Sequence, residues 1–96
     1  MEMSNEEIKN NIVAVGHKPI DRYITACITL FNEGKKEVIF RARGKAIPKC
    51  IDVVESLRKS FMKDAIIKRI SIGSDEKILE NGGKKYISYI EIVVTH

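Results

Sequence analysis

KEVIFRARGKAIPKCIDVVESL, residues 36–57, changes its periodicity midway, and that change decides the fold. The first half alternates: Val38, Phe40 and Ala42 share one side of an extended chain, while Ile39, Arg41 and Arg43 share the other. From Ile47 onward the apolar residues recur at helical spacing, at Ile47, Cys50, Ile51, Val54, Leu57 and Phe61. Val53 widens that stripe, which leaves room for a second partner besides the helix's own sheet. Pro48 fits only the first helical turn, since deeper in the helix it removes a needed N–H and clashes with the preceding turn. Residues 44–47 are then the connection, and a strand gives way to a helix within RARGKAIPK, residues 41–49, where four cations and no anion gather. A nucleotide-hydrolysing loop does not account for this charge. The Walker pattern needs a second upstream glycine and a Ser or Thr after the lysine, but Gly44 and Lys45 are followed by Ala46.

Upstream, NIVAV (11–15) is a continuous apolar run ended by Gly16 and reads as a buried central strand. Pro19 then suits the first turn of a helix whose stripe is Ile20, Tyr23, Ile24, Cys27, Ile28 and Phe31, with Gly34 as its stop. Residues 1–10 are polar and read as a flexible arm, although Ser4 and Glu7 have capping-box spacing. Downstream, AIIKRISIG (65–73) and KYISYIEIVV (85–94) are β-rich, with SDEKILENGGKK between them and NGG as its turn signal. The pair reads as a hairpin with a long basic tip. The order βαβαββ predicts an α+β, two-layer sandwich: a mixed four-stranded sheet with two helices on one face, closed by the third-to-fourth-strand hairpin. Residues 11–96 form one domain.

A chain of 96 residues buries only about 60–65 % of its unfolded surface, too little for two cores. At 44 % hydrophobic residues it is foldable, and a core this small makes self-association a plausible further source of burial. The net charge is +4, from 17 basic and 13 acidic residues. Glu2, Glu6 and Glu7 precede the first lysine, so from Lys9 onward the balance is 17 minus 10, or +7. That excess favours a polyanion, nucleic acid before an anionic membrane, over a surface that is basic only for solubility. Cys27 and Cys50 belong to no CxxC pair and read as reduced core cysteines of a cytoplasmic protein. No apolar run reaches the roughly 18 residues of a membrane span, and the acidic start is unlike a signal peptide.

Three basic features stand out: His17 and Lys18 after the first strand; Arg41, Arg43, Lys45 and Lys49 around Gly44; and Lys84 and Lys85 near the hairpin tip. If each helix is a crossover, the first two strands run parallel and both connections lie on the same edge of the sheet. Helix N-termini at that edge add N–H groups suited to phosphate oxygens, beside arginine forks and lysine point charges. Catalysis has no comparable support. His17 and His96 are the only histidines, and there is no HExxH, no Cys/His cluster and no nucleophile elbow, so neither an enzyme nor a metal or cofactor site is expected. Asp52 and Glu55 share a helix face, but Glu55 and Lys59 form an ordinary i,i+4 pair. Tyr23 and Phe31 read as core because they occupy the stripe, whereas Tyr86 and Tyr89 remain open as base-stacking platforms.

The segments VGHKPIDRYI, FRARGKAIPKCIDVVE and ISIGS, together with the closing basic hairpin, resemble the Alba family of small basic chromatin and RNA-binding proteins widespread in archaea. The most specific part is ARGKAI. The resemblance implies a non-enzymatic homodimer, or a heterodimer with a paralogue, that coats, compacts or bridges double-stranded DNA in a chromosome-associated setting. RNA binding, as a chaperone or ribonucleoprotein component, is the alternative. It further implies that His17, Lys18, Arg41, Arg43, Gly44 and Lys45 meet the phosphate backbone, and that Lys84 and Lys85 ride on arms along the minor groove. Lys18 is then the candidate for charge-removing acetylation. Phe61 matches an aromatic position used where dimers stack side by side, while its periodicity fits a core residue equally well. The match departs at His17, a weaker phosphate partner than lysine at neutral pH, and at Pro48, where a small polar residue is common. A protein-binding scaffold acting through its sheet edge or second helix is the reading from a different class.

Overall fold

Helices form where the periodicity calls for them, and the sheet is assembled from segments far apart in the chain. The structure, a computed structural model, describes residues 8–96. The spacing of Ser4 and Glu7 and most of the expected arm lie outside the described residues. The elements run β1 (Ile8–Lys9), β2 (Ile12–Ala14), α1 (Ile20–Asn32), β3 (Glu37–Arg43), α2 (Ile47–Ser56), β4 (Ile66–Ile78) and β5 (Lys84–Thr95). The four expected strands form one mixed sheet in the order β2-β3-β5-β4, and the two-residue β1 adds to it antiparallel beside β2. The last residues of the expected arm are thus strand and turn, with Asn10 taking the left-handed conformation at the turn.

The β2 and β3 strands run parallel, joined through α1, so both of their following loops emerge from the same edge. The β5 strand runs antiparallel to both β3 and β4. In this register Val38, Phe40 and Ala42 align with Val94, Ile92 and Ile90, and all six are buried beneath the helices. From α1, Tyr23, Ile24, Cys27 and Phe31 join that core, and from α2, Cys50, Val53, Val54 and Leu57. Burial pushes the Cys27 and Cys50 thiols up to about 12, so both stay protonated at neutral pH. A bulge around Lys68 lets Ile67 and Ile70, three residues apart, face the same side as Val94 and Ile92. The bulged Lys68 donates to the Glu37 carboxylate and holds its pKa below the ordinary value.

Two readings of α2 need correction. Val53 is wholly buried and belongs to the core, whereas Ile51 faces outward. Phe61 is 57 % exposed, which ends its reading as a core residue. The physical reason is that α2 runs into a wider turn, Leu57–Phe61, closed by the Met62 N–H on the Leu57 carbonyl at 2.7 Å. This i→i+5 turn inserts a residue and rotates Phe61 out of the stripe.

The hairpin differs most from its sequence reading. SDEKILENGGKK is mostly strand: β4 continues to Ile78, β5 begins at Lys84, and only residues 79–83 turn. Because β3 stops at Arg43, opposite Tyr89, residues 74–78 and 84–88 pair only with one another. They form a two-stranded ribbon about 17 Å long at about 3.3 Å per residue. The ribbon explains why the molecule extends 47 Å along one axis and 26 and 21 Å along the others.

Candidate nucleic-acid interface

Three basic segments meet at one end of the sheet, each held there by a different local device. The first is the loop after β2. Tyr23 is buried on the first turns of α1, and its hydroxyl oxygen accepts the N–H of Gly16 at 2.9 Å and of Lys18 at 3.1 Å. The backbone on both sides of His17 is thereby fixed. Lys49, in the first turn of α2, donates through Nζ to the Lys18 carbonyl at 2.9 Å and ties the first connection to the second. Sequence reasoning places Tyr23 in the core correctly but misses what its hydroxyl does, since a helical stripe says nothing about the tip of a side chain.

The second segment follows β3. Gly44 takes φ +52°, a left-handed conformation that a side chain would strain, and opens a tight 3-10 turn, Gly44–Ala46, leading into α2. Pro48 falls in the first turn, as its missing N–H requires. This geometry brings Gly16, His17, Arg43, Lys45, Ala46 and Lys49 around one shallow concavity. Neither α1 nor α2 has a side-chain cap at its N-terminus; the Arg22 N–H donates to the Pro19 carbonyl at 3.1 Å and the Ile47 N–H to the Gly44 carbonyl.

Arg41 and Arg43 project from the face of the sheet opposite the helices, as the alternation requires, and there they meet acid. Arg41 lies 3.3 Å from Glu91, its direct neighbour on β5, and 3.4 Å from Asp75 on β4. Its guanidinium also sits 5.0 Å from the centre of the Tyr89 ring. Arg43 reaches the same Asp75 at 3.8 Å. Tyr89 in turn lies across Gly73: a Cβ at that position would fall 2.5 Å from the Tyr89 hydroxyl, so only glycine leaves room for the ring. Asp75, Glu91 and Tyr89 carry no sequence signal of this role, because the cluster exists only once three strands are in register.

The ribbon splits Lys84 from Lys85. Consecutive strand residues point to opposite faces, so Lys85 shares the face of Arg41 and Arg43, while Lys84 turns to the helix side and pairs with Glu76 at 3.3 Å. Directly opposite Lys85 stands Lys77, which counting back from the NGG turn would have found. Phe61 lies apart from this assembly, at the end of α2.

The pattern characteristic of the Alba family matches residues 11–74. The chain is 44 % identical over 84 residues to the DNA/RNA-binding protein Alba of Methanocella arvoryzae, covering 88 % of each. Its fold is similar to Alba from Thermoplasma volcanium, with a TM-score of 0.81 at 37 % identity over 90 % of this chain and all of that one. It is also similar to ALBA1 from Trypanosoma brucei, with a TM-score of 0.76 at 29 % identity over 92 % of this chain and 70 % of that one. With the motif, the fold and the identity in agreement over most of its length, the chain belongs to the Alba family.

Proposed function

We propose that this protein is a non-enzymatic, architectural nucleic-acid-binding protein that acts as a homodimer on double-stranded DNA, mainly through phosphate contacts. The observation that carries the proposal is the gathering of His17, Arg43, Lys45 and Lys49, with Lys18 tied to Lys49 through its carbonyl, at the end of the sheet from which the ribbon projects. Phosphate-directed cations and helix N-termini bind without reading bases, which suits coating, compaction or bridging. Lys77 and Lys85 strengthen the case. Like charges directly opposite one another in a sheet destabilise it, and an anion between them removes that cost. The relative from Methanocella arvoryzae carries DNA and RNA binding in its name, which supports the same class of ligand here.

The dimer rests on apolar surface that the monomer leaves uncovered. Ile51, Ile70 and Ile72 are exposed, Ile72 by 79 %, beside a groove lined by Val54, Ile67, Ile90 and Ile92, with Glu55 and Arg58 at its edge. Pairing this face with a second copy, or with a paralogue, buries it and places two ribbons on one assembly. Ile72→Asp should therefore turn a dimer into a folded monomer in sedimentation equilibrium; an unchanged dimer would place the interface elsewhere. Phe61 is exposed and available for contacts between neighbouring dimers on DNA. Acetylation of Lys18 would remove one cation from the interface, and a chromosome-associated cytoplasmic location follows from the ligand.

RNA as the main ligand is the second reading, favoured by Tyr86. This residue is exposed on the helix-side face of the ribbon, opposite Glu76 and on the same face as Lys84, where a ring offers a stacking platform for an unpaired base. A salt titration of affinity for duplex DNA and for a structured RNA, under identical conditions, tests both readings. A steep fall with salt on both, at about −0.9 per phosphate contact for the duplex, supports backbone binding, and the relative affinities rank the ligands. Weak, salt-insensitive binding to both would instead favour a protein-binding scaffold.

A further inference from the structure

At the interface, Arg41 is enclosed by two of the protein's own acids. Its partners, Glu91 and Asp75, come from two different strands, and they differ in kind. Glu91 is its direct cross-strand neighbour and faces Arg41 alone. Asp75 lies where β4 leaves the body to become the ribbon, and one of its oxygens, Oδ2, approaches both arginines, at 3.4 and 3.8 Å. Both distances are longer than the roughly 2.7–2.9 Å of a strong charge-assisted hydrogen bond. The Asp75 side chain is 38 % exposed and that of Arg43 61 %, so the contacts are open to solvent and to an incoming oxyanion. Exposed pairs of this length are weak, and salt or a competing anion displaces them readily.

We infer that Asp75 is an affinity-setting placeholder: its carboxylate occupies the position between Arg41 and Arg43 that a backbone phosphate takes, and nucleic acid binds by displacing it. This inference rests on the nucleic-acid reading above and assigns a role to a residue outside the basic set. A carboxylate and a phosphate present similar oxygens to a guanidinium fork, so the arginines stay oriented in the free protein. The cost of displacing Asp75 holds affinity down, which suits a protein that must release and rebind along a polyanion. Glu91 remains on Arg41 throughout and keeps its guanidinium against Tyr89.

The test compares Asp75→Asn with Asp64→Asn, titrating each against a short duplex DNA between about 50 and 200 mM salt. Asp64 sits before β4, beyond the far end of the sheet, roughly 30 Å from Asp75 along the strand, where it faces His96. Both variants lose the same single charge. Asp75→Asn should bind about three- to tenfold more tightly at the low-salt end, with a log–log slope steeper by up to about 0.9 for each arginine released to a phosphate. Asp64→Asn should change affinity less than about twofold, since it lies about two screening lengths from the interface at the low-salt end and about four at the high-salt end. Asp75→Glu, which keeps the charge, should stay near the unsubstituted protein. Equal gains from Asp75→Asn and Asp64→Asn would reduce the effect to net charge and overturn the placeholder. A loss of affinity in Asp75→Asn, with melting unchanged, would make Asp75 a brace and overturn it too. Failure of the unsubstituted protein to bind duplex or RNA sinks the functional reading and this inference together; binding without any gain from Asp75→Asn sinks this inference alone.

Discussion

The lower halves of β4 and β5 and their upper halves are continuous strands, in one register from Arg69 to the turn, yet they live under different rules. Below Tyr89, β5 lies between β3 and β4, with its inner face under the helices; Ile90, Ile92 and Val94 are buried there. Above it, residues 74–78 and 84–88 pair only with each other, and Ile78 and Tyr86 stand in solvent. An isolated two-stranded hairpin is marginal in water, so the ribbon depends on what anchors its base. The anchor is the set Tyr89, Gly73, Arg41 and Glu91, where aromatic packing and an ion pair brace the last level at which β3 is still present. Stability therefore resides in the body, and the ribbon is left free to carry charge.

The largest expected effect breaks the body. Phe40→Ala removes a wholly buried ring between both helices and the sheet, and should cost about 3–5 kcal/mol in chemical denaturation. No ribbon substitution should approach that. An intermediate effect joins the two regions' concerns: Tyr23→Phe keeps the core ring but leaves the Gly16 and Lys18 N–H groups without their acceptor. It should cost about 1–3 kcal/mol and weaken duplex binding as the loop bearing His17 and Lys18 loosens. Wild-type affinity in Tyr23→Phe would show that this loop needs no fixing. The smallest effect on stability belongs to the ribbon, where Lys77→Gln with Lys85→Gln should leave melting unchanged or raise stability by about 0.2–1 kcal/mol, as the facing charges vanish. The same double variant should flatten the salt dependence by about 0.9 for each phosphate that the lysines neutralise in the unsubstituted protein. Destabilisation without a change in slope would make the two lysines part of the scaffold.

Legibility follows the same division. Where one face of an element is buried, its period is written in the chain: Val38, Phe40 and Ala42 on β3, and Tyr23, Ile24, Cys27 and Phe31 on α1, are readable at once. Residues 74–78 read as a loop because neither face of the ribbon is covered, so no alternation of apolar and polar residues is required. Phe61 leaves the α2 stripe because the wide turn at the helix end shifts the helical phase, and Ile51 leaves it because Val53, on the other flank, takes the inward position.

By itself, then, the amino-acid sequence determined the element order, the parallel pair whose two loops share an edge, the Gly44 turn and the excess of cations there. All of these depend on local periodicity, backbone conformation or composition. Only the tertiary structure decided that Arg41 and Arg43 are met by acid, that Lys84 and Lys85 part to opposite faces while Lys77 joins Lys85, and that Tyr23 fastens the first loop. Each of those facts depends on the register of paired strands or on where the tip of a side chain ends, and neither is encoded in any single segment.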